Sequence, residues 1–115
     1  MFPATIRIPV APVLPDFELK RGDRLPGIEA AIDAPAGTLL GATSYRFEFW
    51  AIATPLRRRG GVATLVDGAE NILQYLWQPS DTDVAGDFRG EWKASYGLLV
   101  TTYPATGYMS IRINP

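Results

Sequence analysis

The side chains best suited to chemistry in this chain are three closely spaced carboxylates, Asp81, Asp83 and Asp87. Two carboxylates act as general acid and base only where their surroundings separate their pKa values, and Gly86 marks a tight bend here that predicts an exposed corner. The Asp-x-Asp spacing also suits Ca²⁺, although the rest of a shell of about six to eight oxygens is not evident. We therefore interpret the aspartates first as caps of local backbone N–H groups, and second as a cation site.

The composition removes most other catalytic chemistry. The 115 residues include no histidine and no cysteine, which excludes the commonest general base, the usual transition-metal ligand, thiolate chemistry and disulfides. The formal net charge of −1 gives no long-range attraction for nucleic acid or an anionic membrane. We expect a protein that is not an enzyme, holds no cofactor or metal, and binds neither nucleic acid nor membrane.

The sequence shows no targeting or membrane-spanning segment. No stretch approaches the ~20 apolar residues of a membrane span, and the N-terminus has no apolar run of signal-peptide length. We therefore expect the protein to be made and kept in the cytoplasm, or to leave it inside something larger.

The elements that position these residues are predicted to be short strands. Ten prolines and eleven glycines are spread along the chain with few helix-like periods, which predicts eight or nine strands and no helix. After the aspartate corner, Phe88, Gly90 and Trp92 alternate with charged residues, which is the period of a half-buried strand. A loop that turns a corner into such a strand resembles the corner before strand F of immunoglobulin-type sandwiches. We predict an all-β fold, an immunoglobulin-like antiparallel β-sandwich over residues 16–115.

Two tryptophans are predicted to lie in different environments. Trp50 falls on the otherwise polar face of the strand predicted over residues 42–52, where a large aromatic left in water can anchor a partner. A loop of the same chain could equally cover it, and both interpretations stay open. Trp77 shares one face with Leu73 and Tyr75 in a predicted hairpin, so we expect it in the core.

Residues 1–15 are predicted to form an extended N-terminal arm. They carry four prolines around an alternating patch at residues 5–8, and proline cannot donate to a sheet ladder. The arm is either a flexible tail or a strand added to an exposed edge of a neighbouring subunit. In the second case Ile6, Ile8, Val10 and Leu14 would supply buried assembly contacts.

The cluster Arg57, Arg58 and Arg59 is the only concentration of charge. No aromatic residues are interleaved with it and the chain is nearly neutral, so it is a weak nucleic-acid patch. We interpret it as a solvated hairpin tip. The alternative is an electrostatic contact to an acidic neighbouring protein, in which the three arginines would form the polar rim of an assembly surface that includes Trp50.

A series of motifs in fixed order resembles one protein family. The series comprises residues 17–26, residues 40–43 before a Phe-rich strand, residues 75–77, residues 81–86, Phe88 with Glu91 and Trp92, Tyr103-Pro104, and Gly107-Tyr108. It resembles the immunoglobulin-like N-terminal domain of upper baseplate proteins of tailed bacteriophages, and short phage virion proteins built from that domain alone. The similarity covers about residues 16–113.

The resemblance implies a virion building block that works without catalysis. Its partners would be other phage structural proteins and copies of itself in a symmetric assembly, and its location the virion, after synthesis in the host cytoplasm. Phe88 stands where the family's corner has tyrosine, so the resemblance predicts no hydroxyl tie across this corner. A capsid decoration protein is one alternative, and a carbohydrate-binding module that uses Trp50, Trp92, Tyr96 and Tyr103 is another.

Overall fold

The computed structural model describes residues 15–115. Its eight strands are β1 (Phe17–Lys20), β2 (Ile28–Ala31), β3 (Ser44–Ala51), β4 (Arg59–Asp67), β5 (Ile72–Tyr75), β6 (Gly86–Tyr96), β7 (Leu99–Tyr103) and β8 (Met109–Asn114). The described residues contain no α-helix, and a short 3₁₀ turn over Thr38–Gly41 precedes β3. The predictions of an all-β fold and of eight or nine strands are confirmed.

The strands form one mixed sheet in the order β1-β8-β6-β3-β4-β5-β2, with β7 paired to β6 outside this path. The sheet turns at β4, because residues 59–63 pair with β3 and residues 64–67 pair with β5. The expectation of antiparallel pairing throughout is wrong for β1 and β8, which are parallel. These strands come from opposite ends of the described chain and share no hairpin that would impose an antiparallel arrangement.

Strands β7 and β8 lie on the same side of β6. Trp92 of β6 pairs with Tyr103 at the end of β7, and Gly90 pairs with Met109 at the start of β8. The two strands therefore form one line along β6 that residues 104–108 interrupt. Only β8 has a further neighbour, β1, so β7 is an edge strand within residues 15–115.

The alternation in β3 and β6 directs aromatic side chains into one core. The ring centre of Phe47 lies 4.4 Å from that of Trp92 on β6 and 5.2 Å from that of Tyr75 on β5. Only β4 separates β3 from β5 in the sheet path, but Phe17 on the end strand β1 also lies 5.9 Å from Trp77, just after β5. The sheet therefore folds back on itself as an incompletely closed barrel. Gly90 permits the close approach, since a Cβ there would lie 2.9 Å from Cζ of Phe47.

The predicted burial of Trp77 is confirmed. Leu73, Tyr75 and Trp77 all belong to the buried core. Trp77 packs edge-on against Phe49 with 5.3 Å between ring centres, and lies 5.9 Å from Phe17 of β1. One side chain thus connects the segment after β5 to β3, in the middle of the sheet path, and to β1, at one of its ends.

A buried asparagine, which sequence analysis missed, joins two loops. Asn71 has left-handed backbone (φ 54°) in the β4–β5 turn, a region that asparagine tolerates better than most residues. Its side chain accepts a hydrogen bond from the N–H of Leu39 at 3.1 Å and donates to the carbonyls of Ala34 and Pro35 at 3.1 and 2.9 Å. The loop before β3 is therefore fixed to the turn after β4.

We predict that Trp77→Ala lowers the free energy of unfolding by roughly 3–5 kcal/mol, because it removes buried aromatic surface and leaves a cavity. Urea unfolding followed by circular dichroism measures this loss. Leu76→Ala is the matched control, since the neighbouring Leu76 side chain is exposed and should change stability by only about 0.5 kcal/mol. A Trp77→Ala midpoint equal to that of the control would contradict the position of the core.

Candidate functional site

The structure decides between the two interpretations of Trp50, an exposed anchor for a partner or a side chain covered by its own chain. Trp50 does lie on the outer face of β3, opposite Arg89 of β6, but only 3 % of its surface is exposed. The guanidinium of Arg58 covers one side at 4.0 Å from the ring centre, and the ring of Tyr108 packs edge-on at 5.1 Å. The alternative interpretation, that the chain itself covers this side chain, describes the molecule, and Trp50 offers a neighbour little direct contact area.

Beside Trp50, the outer face carries a compact group of ion pairs. Glu48 of β3 and Glu91 of β6 pair directly across the ladder, where two like charges repel. Arg58 binds both carboxylates, at 2.6 Å to Glu91 and 3.1 Å to Glu48, and Lys93 and Arg46 complete the group. The hydrogen bond to Glu91 raises the pKa of Arg58 further above its usual range, so this side chain remains a cation.

The three arginines do not form one hairpin tip. Arg59 begins β4 and donates hydrogen bonds to the carbonyls of Ser80 and Asp81 at 2.7 and 3.3 Å. Arg58 folds back over the sheet, as described above. Arg57 alone forms no ion pair or side-chain hydrogen bond within residues 15–115, so of the three it best fits the predicted solvated position or polar rim.

A cleft of about 430 Å³ opens beside this arginine segment. Its lining combines the buried Phe88, the exposed side chains of Leu56 and Val84, Ala51, Thr54 and the three arginines. The lining is therefore mixed, with apolar side chains next to three cationic ones. The structure brings Arg57, Arg58 and Arg59 together along this groove.

The sequence predicted that the whole aspartate corner is exposed, and the structure shows that only part of it is. Asp83 and Asp87 are exposed, and Asp87 pairs with Arg112 at 3.0 Å. Asp81 is buried and accepts a hydrogen bond from the N–H of Gln78 at 2.8 Å, which agrees with its predicted capping role. No group of three or more acidic side chains within residues 15–115 is placed to hold a metal ion.

A hydroxyl does tie this corner, which corrects the expectation drawn from Phe88. Tyr75 of β5 donates to Oδ2 of Asp81 at 2.5 Å. Burial, reinforced by this hydrogen bond, raises the pKa of Tyr75 well above its ordinary value, so the hydroxyl stays protonated as a donor. The hydroxyl belongs to β5 rather than to β6. The identity of residue 88, which lies on β6, therefore could not predict this hydrogen bond.

The β6–β7 hairpin exposes an apolar segment that sequence analysis did not assign to a contact. Leu98 at its tip is fully exposed, and Leu99 and Val100 of β7 are 73 % and 57 % exposed. Monomeric proteins seldom leave three consecutive apolar residues in water without a use. The sequence feature that could have indicated this exposed segment is the apolar run Leu98-Leu-Val100 directly after Gly97.

The aromatic residues proposed for sugar binding do not form a platform. Trp50 and Trp92 are buried, and Tyr96 and Tyr103 are half-buried. Tyr108 is the one tyrosine or tryptophan of the described residues with about half its surface exposed, and it leans on Trp50. Ile6, Ile8, Val10 and Leu14, the predicted contacts of the arm, lie outside the described residues.

The fold and these surfaces define an all-β domain whose charged and aromatic groups are largely used within the chain. No protein-family model, curated protein or solved structure matches the chain. Among the described residues, no helix has the length and apolar character needed to cross a membrane.

We predict that Arg58→Ala uncovers Trp50. The other two tryptophans remain in the core, so acrylamide should quench the fluorescence of this variant more strongly than that of the parent protein. Loss of the cation over the ring and of the bridge between Glu48 and Glu91 should also cost on the order of 1 kcal/mol of stability. Arg57→Ala is the matched control, and equal quenching of the two variants would contradict the described cover.

We predict that Tyr75→Phe destabilises the corner by roughly 1–3 kcal/mol, because it leaves the buried carboxylate of Asp81 with one donor fewer. The measurement is the free energy of unfolding in urea. Tyr108→Phe serves as the control, since that hydroxyl makes no hydrogen bond within residues 15–115. If both variants had the parent's stability, the tie would contribute nothing.

Proposed function

We propose that this chain is a non-enzymatic structural component of a tailed-bacteriophage virion, a baseplate, tail or neck building block that works through protein–protein assembly contacts. The observation that carries the proposal is the edge of β7, which has β6 as its one partner within residues 15–115 and carries consecutive exposed apolar side chains. Such an edge is a template for pairing with another chain. The assignment to a phage particle rests on the ordered motifs between residues 17 and 108.

The finer fold assignment, an immunoglobulin-like sandwich, belongs to the same proposal. Its support is the arrangement of strands around the core: β2 with β5 on one side, and β3, β6 and β8 on the other. The change of partner along β4 and the parallel position of β1 beside β8 fit such a sandwich.

The side-chain contacts favour a structural role over catalysis. Glu48 and Glu91 share a cation, and Asp81 is occupied by Tyr75 and a backbone N–H. An acid–base site needs ionisable groups that face a substrate cleft with separated pKa values. In the cleft near Arg57 the lining residues are apolar, hydroxyl-bearing or arginine, and a carboxylate is not among them.

The same contacts would serve a capsid decoration protein, which remains the related alternative. A carbohydrate-binding module is less well supported, because Trp50 is covered and Trp92 is in the core. Saturable binding in a sugar titration would favour that module over the structural role.

Purified particles produced by the genome that encodes this chain provide the test. We expect mass spectrometry to find the chain in the particles, and antibody labelling to place it at the tail or neck. Labelling over the head surface would favour capsid decoration, and absence of the chain from the particles would overturn the proposal.

We further predict that deletion of residues 1–14 leaves a folded domain that no longer enters particles, since the arm would supply the contacts of Ile6, Ile8 and Val10. Circular dichroism checks the fold and particle composition checks incorporation. A variant in which a Gly/Ser segment of equal length replaces residues 1–14 separates loss of side chains from loss of length. Normal incorporation of the deletion variant would show that the arm is not required.

A further inference from the structure

The edge of β7 is unusually receptive to an added strand. Its five residues, Leu99–Tyr103, pair with β6 on one side only within residues 15–115. Proteins commonly protect edge strands with lysine, proline or a bulge, and β7 contains no charged residue and no proline. The free N–H and C=O groups and the exposed side chains of Leu99 and Val100 together form a docking edge.

The chain upstream of β1 starts close to this edge. Asp16 donates its backbone N–H to the carbonyl of Ser110 at 3.0 Å, which places it level with Arg89 of β6. Continuing β1 upstream in the same register would bring residues 9–13 level with β7, since Tyr103 pairs with Trp92, three residues further along β6. This stretch contains Pro9 and Pro12, which cannot donate to a ladder, so it is a poor partner for the edge.

The stretch best suited to pair lies further upstream. Residues 4–8, Ala-Thr-Ile-Arg-Ile, are free of proline and equal β7 in length. They alternate apolar and polar side chains and include two β-branched isoleucines, which favour strands. In the continued register they would extend past the hairpin tip, beyond the reach of their own β7. Another copy of the chain can present its edge to them there.

We propose that residues 4–8 of a second copy of this chain add a strand to the β7 edge. Ile6 and Ile8 would share one face of this strand and pack beside either Leu99 or Val100, whose side chains lie on opposite faces of β7. This inference rests on the proposed function, and it identifies the β7 edge of a second copy as the surface that the arm binds. Residues 9–15 form the connection and span at most about 23–25 Å when extended, which is enough to leave one domain and reach the next. Main-chain hydrogen bonds would provide the binding, and the apolar side chains would select the partner.

The contact is directional, because the donor segment and the acceptor edge are different parts of the molecule. A head-to-tail contact of this kind closes into a ring if its rotation permits and otherwise builds a filament. The geometry between residues 4–8 of one copy and the β7 edge of the next therefore decides whether a ring or a filament forms.

Disulfide mapping in the full-length chain tests this proposal, because the natural sequence has no cysteine to interfere. One preparation carries Ile6→Cys, and the other carries Leu99→Cys, Val100→Cys or Thr101→Cys. After mixing and mild oxidation we expect heterodimers whose yield peaks at one acceptor position, because a disulfide needs its two Cα atoms within about 7 Å. Glu29→Cys on β2, the end strand of the sheet path, is the control acceptor.

Self-association of the parent chain provides the second readout. Sedimentation should show concentration-dependent oligomers that Val100→Lys weakens by about tenfold or more, since lysine blocks edge pairing. The same lysine at exposed Val62 is the matched control and should leave association unchanged. Thermal unfolding checks that both variants fold.

The outcomes separate this inference from the proposed function. Cross-linking that equals the Glu29→Cys control, or a chain that remains monomeric, would overturn the arm-to-β7 contact even if the protein is found in virions. A position-specific cross-link in a chain that is absent from virions would support the contact and overturn the phage assignment.

Discussion

The contact between Phe47 and Tyr75 joins the two halves of a sheet that is hydrogen-bonded along one continuous path. Backbone pairing alone would permit a more open, twisted sheet, and burial of aromatic surface makes it close upon itself. Gly90 belongs to the same contact, because its missing side chain leaves room for the ring of Phe47. Trp77 then covers the cluster from the segment after β5. The tie between Tyr75 and Asp81 is a local connection beside this cluster, since the two residues are six positions apart in the chain.

The outer face of β3 and β6 obeys a second constraint. Trp50 interrupts a run of polar residues, and Glu48 faces Glu91 across the ladder. Both arrangements are unfavourable by themselves. A single side chain relieves both, because the guanidinium of Arg58 is planar enough to lie on the indole ring and carries enough donors to bind two carboxylates. Lysine could supply the charge but not the flat surface, so arginine suits this position in a way that composition alone does not reveal.

Local sequence patterns predicted the strands well. They could not predict contacts between segments that are far apart in the sequence. The period of two placed Trp77 in the core and predicted the strand that carries Phe88 and Trp92. The same period placed Trp50 on the outer face but carried no information on what covers it, because Tyr108 is 58 residues away in the chain. The parallel pairing of β1, the hydrogen bonds of Asn71 and the open edge of β7 also depend on segments far apart in sequence. At the candidate site, sequence analysis found the arginines, missed the internal partners of two of them, and missed the apolar hairpin.

The interruption at residues 104–108 has a consequence for the dynamics of the sheet. Strand β8 lies between β6 and β1, whereas β7 pairs within residues 15–115 with β6 alone. Segments with few buried apolar contacts open at lower free energy than the core that supports them, so β7 can form a separate unit of local unfolding. Its amide protons would exchange faster than those of β8, although both strands lie along β6. A ligand that pairs with such a unit also removes its freedom to open, and part of the binding free energy is then used in ordering the protein itself.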